Sequence, residues 1–210
     1  MPQFFIPSKN QMTPTERDYS EIARYLGYQK VAVPDEQVST LIKAAADEML
    51  DVIQPQSVCE KFDLTVEYDE KKDFGLVAFS DVTIKSKDLA RNLRNCSQIV
   101  LFAATLGPQC DQLIRRAQVK DQVKAAVFQA TGAMYIEKCV DLLNENIKQD
   151  AEAQGKTTRP RYSPGYGDLS LDVQKSFFRL LPCQRIGLTL MGTLVMSPEK
   201  SVTAFVGVMG

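Results

Sequence analysis

The chain has 210 residues, of which 44% are hydrophobic, enough for one domain with a full hydrophobic core. Its 25 lysines and arginines nearly balance its 26 aspartates and glutamates, so it offers no basic field to nucleic acid or to an anionic membrane surface. We expect neither partner. The sequence has no histidine, which excludes imidazole as a general base, as a metal ligand and as a member of a catalytic triad.

Signals for export, membrane insertion and metal binding are not found in the sequence. No apolar run approaches the length of a membrane span, and residues 1–9 lack the layout of a secretory signal, so we expect a cytoplasmic protein. The five cysteines are scattered, odd in number and without a CxxC pair, which favours reduced core thiols over disulfides or a metal site.

Two helices are predicted near the amino terminus, over about residues 13–54. Pro14 with the early carboxylate of Glu16 indicates the first, which Gly27 ends. The second follows Asp35, and its apolar residues keep helical spacing as far as Pro55.

The middle of the chain changes from helical period to strand period and back. Alternating apolar residues predict a strand pair at 58–66 and 76–79, and a continuous apolar run predicts a buried strand at 99–104. A short helix is predicted at 110–117. The proline-free stretch 119–153 is rich in helix-forming residues and predicts a long helix.

The last part combines a polar loop at 154–168, a helix at 173–181 and strands at 186–195 and 202–208. Helices and strands therefore do not alternate regularly along the chain. This order predicts a single α+β domain, residues 1–210, with an antiparallel sheet flanked by helices. No Walker loop or GxGxxG motif is present.

One carboxylate interrupts the apolar pattern of the long helix. At about 100° per residue, Glu137 continues the apolar face that contains Val127, Ala130 and Met134, and Asp141 follows one turn later. A carboxylate on a buried face needs a cation or several donors, which makes Glu137 a candidate binding residue. The alternative is a face that drifts around the helix and leaves Glu137 at its rim.

The loop Arg161-Tyr162-Ser163-Pro164-Gly165-Tyr166-Gly167-Asp168 is the other candidate site. Its glycines free the backbone and its proline stiffens it, and Arg161 can take a carboxylate in two hydrogen bonds. The alternative is a surface turn with solvated arginines. An arginine, one or two carboxylates and the ring of Tyr166 match the groups of S-adenosylmethionine (AdoMet), which carries a carboxylate, an ammonium and a sulfonium. We expect Glu137 to oppose the loop across the pocket.

This loop, with Gln174-Lys175 after it, resembles the reactivation domain of cobalamin-dependent methionine synthase in a free-standing form. Further similar segments are spread over the chain: residues 24–28, 103–107, 136–137, 186–189 and 198–202. The resemblance implies a bent antiparallel sheet flanked by helices and a pocket that binds AdoMet.

The resemblance also implies roles for individual residues. By this resemblance, Arg161 binds the ligand carboxylate and Tyr166 lies between the ligand and the corrin. Further contacts to the ligand come from Glu137 and from the loop positions Tyr162, Ser163, Pro164 and Gly165. Asp141 is a weaker candidate that rests on the helix pattern alone. The family's ligand-binding aspartate has no secure counterpart, Asp35 being the best guess, and the sequence stops at Gly210, before a further ligand-contacting tyrosine of the family.

The resemblance implies that the chain positions AdoMet for the reductive methylation of inactive cob(II)alamin, in which an electron and the methyl group of AdoMet restore methylcobalamin. The cobalamin would be supplied by a partner, because the chain has no Asp-x-His-x-x-Gly motif. The partner would be a cobalamin-binding methionine synthase core or another corrinoid protein. No nucleophile and base pair is evident, so no catalytic residue is assigned and any methyltransferase activity belongs to the complex. The alternative function is a docking or sensing module for a corrinoid protein without methyl transfer.

Overall fold

The computed structural model describes residues 1–28 and 34–210; part of the predicted helical region 13–54, residues 29–33, lies outside them. The helices of the described residues are α1 (Lys9–Met12), α2 (Glu16–Tyr25), α3 (Glu36–Leu50), α4 (Lys87–Asn92), α5 (Pro108–Lys120), α6 (Gln122–Glu152) and α7 (Gln174–Leu180). The strands are β1 (Gln3–Phe5), β2 (Gln56–Asp69), β3 (Phe74–Phe79), β4 (Val82–Lys85), β5 (Gln98–Thr105), β6 (Thr157–Thr158), β7 (Thr189–Leu190), β8 (Met196–Ser197) and β9 (Ser201–Met209).

The main sheet is antiparallel and follows the order β4-β3-β2-β5-β9-β6, with β1 also paired to β2. The long strand β2 pairs with β5 up to Asp63 and with β3 from Leu64 onward. Strand β2 therefore connects the β3-β4 part of the sheet to the β5-β9-β6 part. A separate two-stranded ribbon of β7 and β8 lies outside this sheet.

Strand β5 shows how the period-2 pattern places helices on both faces of the sheet. Val100, Phe102 and Ala104 point to one face, where they join a core built with α2, α3, α5 and α6. Residues 99, 101 and 103 point to the other, where Phe205 of β9 and Phe177 of α7 pack with ring centroids 4.5 Å apart. The α+β sheet flanked by helices is therefore confirmed.

The structure corrects the prediction for residues 186–195. Only Thr189–Leu190 forms a strand there, and Cys183–Ile186 forms a 3₁₀ helix. Ile186 and Leu188 are buried, as their apolar character requires, but Gly187 between them adopts a left-handed conformation (φ 69°) that interrupts an extended backbone.

The cysteines, the hydropathy of the helices and two short elements, β4 and α4, complete the description of the fold. All five cysteines are buried and free, as expected of core thiols, and burial raises the pKa of Cys139 to about 12. Among residues 1–28 and 34–210, no helix is long and apolar enough to cross a bilayer. Strand β4 and helix α4 were not predicted; Ser86 between them caps α4 by accepting a hydrogen bond from the Leu89 N–H at 3.1 Å.

Candidate functional site: a cleft between the two helical layers

The loop 161–168 is held against the sheet and against its own following turn. Tyr162 exchanges two backbone hydrogen bonds with Phe205 of β9, each 2.9 Å long. Within the loop, the Gly165 N–H donates to the Leu169 carbonyl at 2.9 Å. These bonds fix the loop at both ends, so the side chains between them project from a defined backbone.

Gly167 allows the loop to pass close to α4. Its backbone is left-handed (φ 54°), and a Cβ at this position would lie 2.7 Å from the Tyr162 hydroxyl and still closer to the Asp88 carboxylate. Such a contact would force the ends of the Asp88 and Tyr162 side chains to move, and the left-handed backbone also disfavours a residue with a Cβ, so the geometry favours glycine here.

Asp168 fastens the end of the loop to the beginning of α4. One carboxylate oxygen accepts the Ser86 hydroxyl, and the other accepts the Lys87 N–H at 2.7 Å. Partial burial alone would raise the pKa of Asp168, but the Ser86 hydroxyl and the backbone N–H groups outweigh it and hold that pKa below its ordinary value. The ionised carboxylate therefore bridges the loop and the helix start.

Arg161 lies between two carboxylates of α6. Its Nη2 donates to Glu137 Oε2 and its Nη1 to Asp141 Oδ1, each at 2.6 Å. Burial lowers the pKa of Arg161, but the bonds and charges of Asp141 and Glu137 more than compensate and leave that pKa above its ordinary value. These bonds use two of the five guanidinium N–H groups, and the other three have no acceptor among residues 1–28 and 34–210. We call Arg161, Glu137 and Asp141 the charged triad.

Glu137 occupies the rim of the buried face of α6, as the drifting-face interpretation expects. Its side chain is 43% exposed, whereas Ile136, Val140 and Leu143 are buried. Glu137 nevertheless pairs with a cation, as expected for a carboxylate next to a buried helix face. It lies beside Arg161, whereas the sequence predicted that it would face the loop from the opposite side of the pocket.

The loop and two members of the charged triad, Arg161 and Glu137, border a cleft of about 500 Å³. Its volume falls in the range of about 300–1,000 Å³ that is typical of small-molecule sites. Six of the candidate residues line this cleft: Glu137, Arg161, Tyr162, Ser163, Pro164 and Tyr166. The other two do not, since Gly165 shapes the turn at φ 91° and Asp141 contacts Arg161 from outside the cleft.

Several lining residues were not assigned from the sequence. They come from three elements that the sequence separates from the loop: Gln174 of α7, Met196 of β8, and Ser201, Val202 and Thr203 of β9. Gln174 and residues 201–202 fall within the segments of the family resemblance, but nothing in their pattern indicates a contact. Asp35, the guess for the missing aspartate, instead caps α3 by accepting the Val38 N–H at 2.8 Å.

Metal binding finds no support in the described residues. Residues 1–28 and 34–210 contain no group of three acidic, cysteine or histidine side chains arranged to hold an ion. The cleft is lined by one cation, Arg161, with the carboxylate of Glu137 beside it, and by polar, apolar and aromatic side chains. Asp141 adds a second anion behind Arg161, outside the cleft.

Sequence comparisons give no match, either to models of protein families or to curated proteins. Solved structures do match. One is described as the MetH reactivation domain bound to AdoHcy; it superposes with a TM-score of 0.66 at 16% sequence identity, over 99% of this chain and 78% of that one. The chain therefore has the fold of a MetH reactivation domain.

Proposed function

We propose that this chain binds AdoMet in the cleft and presents its methyl group to cobalamin held by a separate polypeptide, as the reactivation subunit of a cobalamin-dependent methionine synthase. The observation that carries the proposal is the charged triad at one end of a cleft, in a fold shared with a reactivation domain bound to AdoHcy.

The charges of the triad complement those of AdoMet. One arginine and two carboxylates sum to −1, whereas the ammonium, sulfonium and carboxylate of AdoMet sum to +1. The unused N–H groups of Arg161 would take the ligand carboxylate, and Glu137 beside it would accept hydrogen bonds from the adjacent ammonium. An α-amino acid carries its ammonium and its carboxylate side by side, and Arg161 and Glu137 present the complementary charges side by side.

Tyr166 is suited to the boundary between the ligand and the partner. Its side chain lines the cleft although the residue is 68% exposed, so one part of the ring remains free for a second molecule. An aromatic face also attracts a sulfonium. The ribbon that carries Met196 exposes two more apolar residues, Met191 and Val195. Of these ribbon residues Met196 lines the cleft, and the exposed apolar side chains near it would suit the flat face of a corrin ring.

The contribution of the chain to the reaction would be proximity and orientation. The partner's cobalamin would supply the nucleophile once an external reductant has added one electron to cobalt(II); the methyl group would pass to the cobalt, and AdoHcy would be released. The sulfonium of AdoMet is already an activated donor, so no general base is needed, in keeping with a chain that has no histidine. Arg161 and Glu137 would fix the amino-acid end, and the ring of Tyr166 would hold the methyl group toward the opening.

The test is a reconstitution with a cobalamin-binding methionine synthase core that lacks its own reactivation domain, a chemical or protein reductant, and AdoMet labelled in the methyl group. Label on cobalamin, dependent on this chain, is the expected result. AdoMet binding without label transfer would favour the docking or sensing alternative, and failure of AdoMet to bind would refute the proposal.

A further inference from the structure

Gln174 carries an unsatisfied polar atom at the edge of the cleft. The residue is the first of α7, is 6% exposed and lines the cleft. Its side-chain oxygen is buried, and no residue among 1–28 and 34–210 donates a hydrogen bond to it. Buried amide oxygens in proteins nearly always have a donor, because an unpaired one costs free energy. Because Gln174 lines the cleft, a molecule bound there could supply the missing donor after a rotation of the carboxamide.

Gln174 and the charged triad belong to opposite helical layers. The triad is anchored on α6, which packs in the core on one face of the sheet, whereas α7 packs through Phe177 in the core on the other face. The cleft lies at the end of β9 where these layers meet, with Ser201, Val202 and Thr203 along it. A ligand whose amino-acid end contacts Arg161 would thus extend its other end toward α7.

The chemistry of Gln174 suits a neutral heterocycle. A carboxamide presents an acceptor and a donor side by side and carries no charge. Adenine offers the complementary pair, a 6-amino donor next to a ring nitrogen acceptor, and the carboxamides of asparagine and glutamine can pair with this edge in two hydrogen bonds. Thr203, 3% exposed, adds a second neutral polar residue to the same cleft.

We infer that Gln174 determines specificity for the adenine of the ligand, with its side-chain oxygen accepting a hydrogen bond from the 6-amino group. This inference rests on the proposed binding of AdoMet in the cleft. It assigns the two ends of the ligand separately: the charged triad holds the amino acid, and Gln174 selects the base.

The experiment compares AdoHcy with its analogue in which hydrogen replaces the 6-amino group, by calorimetric titration of the full chain. The wild type should bind AdoHcy about tenfold more tightly than the analogue. Gln174→Leu should weaken AdoHcy binding by a similar factor and abolish the preference. Gln109→Leu is the matched control, because Gln109 also has a buried, unpaired side-chain oxygen but lies at the start of α5 and does not line the cleft.

The outcomes separate this inference from the proposal beneath it. Equal affinity of the wild type for both ligands would overturn the role of Gln174 without any variant, so the test holds even if Gln174→Leu fails to fold. A Gln174→Leu variant that binds and discriminates like the wild type would overturn it as well. In either case AdoMet binding would stand. Absence of AdoHcy binding by the wild type would instead overturn the proposed function together with the inference.

Discussion

Replacing Arg161 by alanine should weaken AdoMet binding far more than it weakens the fold. The lost interaction with the ligand is a charge-assisted hydrogen-bonded pair, which contributes about 2–3 kcal/mol, or a 30- to 150-fold change in Kd. The stability cost should stay within about 1 kcal/mol, because the carboxylates left without a partner, Glu137 and Asp141, are 43% and 65% exposed and solvent screens them.

The assay is calorimetric titration with AdoMet, accompanied by thermal denaturation of the same samples. Arg161→Lys should fall between wild type and Arg161→Ala, since it keeps the charge but not the fork. Arg179→Ala is the control: it removes an arginine that is paired with Asp81 at the surface and does not line the cleft. A folded Arg161→Ala protein with wild-type affinity would refute the assignment of the ligand carboxylate to Arg161.

Three further predictions concern the loop. Gly167→Ala should lower the free energy of unfolding in urea by about 1–3 kcal/mol, and more than Gly155→Ala, because Gly155 is also left-handed but has no atom within 4 Å of the added Cβ; equal effects would argue against the close approach to α4. The pKa of Asp168 is lower in the folded state than in the unfolded chain, so its ionised carboxylate stabilises the fold, by about 0.5–1 kcal/mol. This stabilisation should be fully present above the unfolded pKa of about 3.9 and should vanish as the pH falls through the folded pKa. The difference in unfolding free energy between wild type and Asp168→Asn should therefore shrink from pH 7 to pH 3, and a constant difference would contradict the bridge. Tyr166→Ala should leave the unfolding free energy within about 0.5 kcal/mol, because the residue is 68% exposed, yet slow methyl transfer to the partner; an unchanged transfer rate would remove Tyr166 from the interface.

The sequence predicted those elements whose hydrophobic period is long and regular. Helix α6 and strand β2 bury one face over much of their length, and their periodicity follows from that burial, whereas β5 and β9 are buried on both faces and appear as continuous apolar runs. The prediction of a strand over residues 186–195 was wrong because burial of Ile186 and Leu188 does not require an extended backbone. There the left-handed Gly187 determined the local conformation, and a glycine in an apolar run was the available sign of it.

The candidate site was predictable only where chemistry is concentrated in one segment. Arg161 and Tyr166 stand out within a short loop, and Glu137 stands out as a charge on an apolar helix face. The contacts from Gln174, Met196 and Thr203 depend on how α7, β8 and β9 meet at the end of the sheet. No spacing along the chain encodes that meeting, so only the folded structure brings these residues together. Interpretation of residues 1–210 as one domain stays a prediction.

A crystal structure of this chain with AdoHcy would test the AdoMet site most directly. We expect a ligand in the cleft, with its carboxylate within hydrogen-bond distance of Arg161, its ammonium at Glu137 and its adenine at Gln174. A cleft that stays empty at saturating AdoHcy, or a ligand bound at another surface, would show that this loop and the charged triad do not form an AdoMet site.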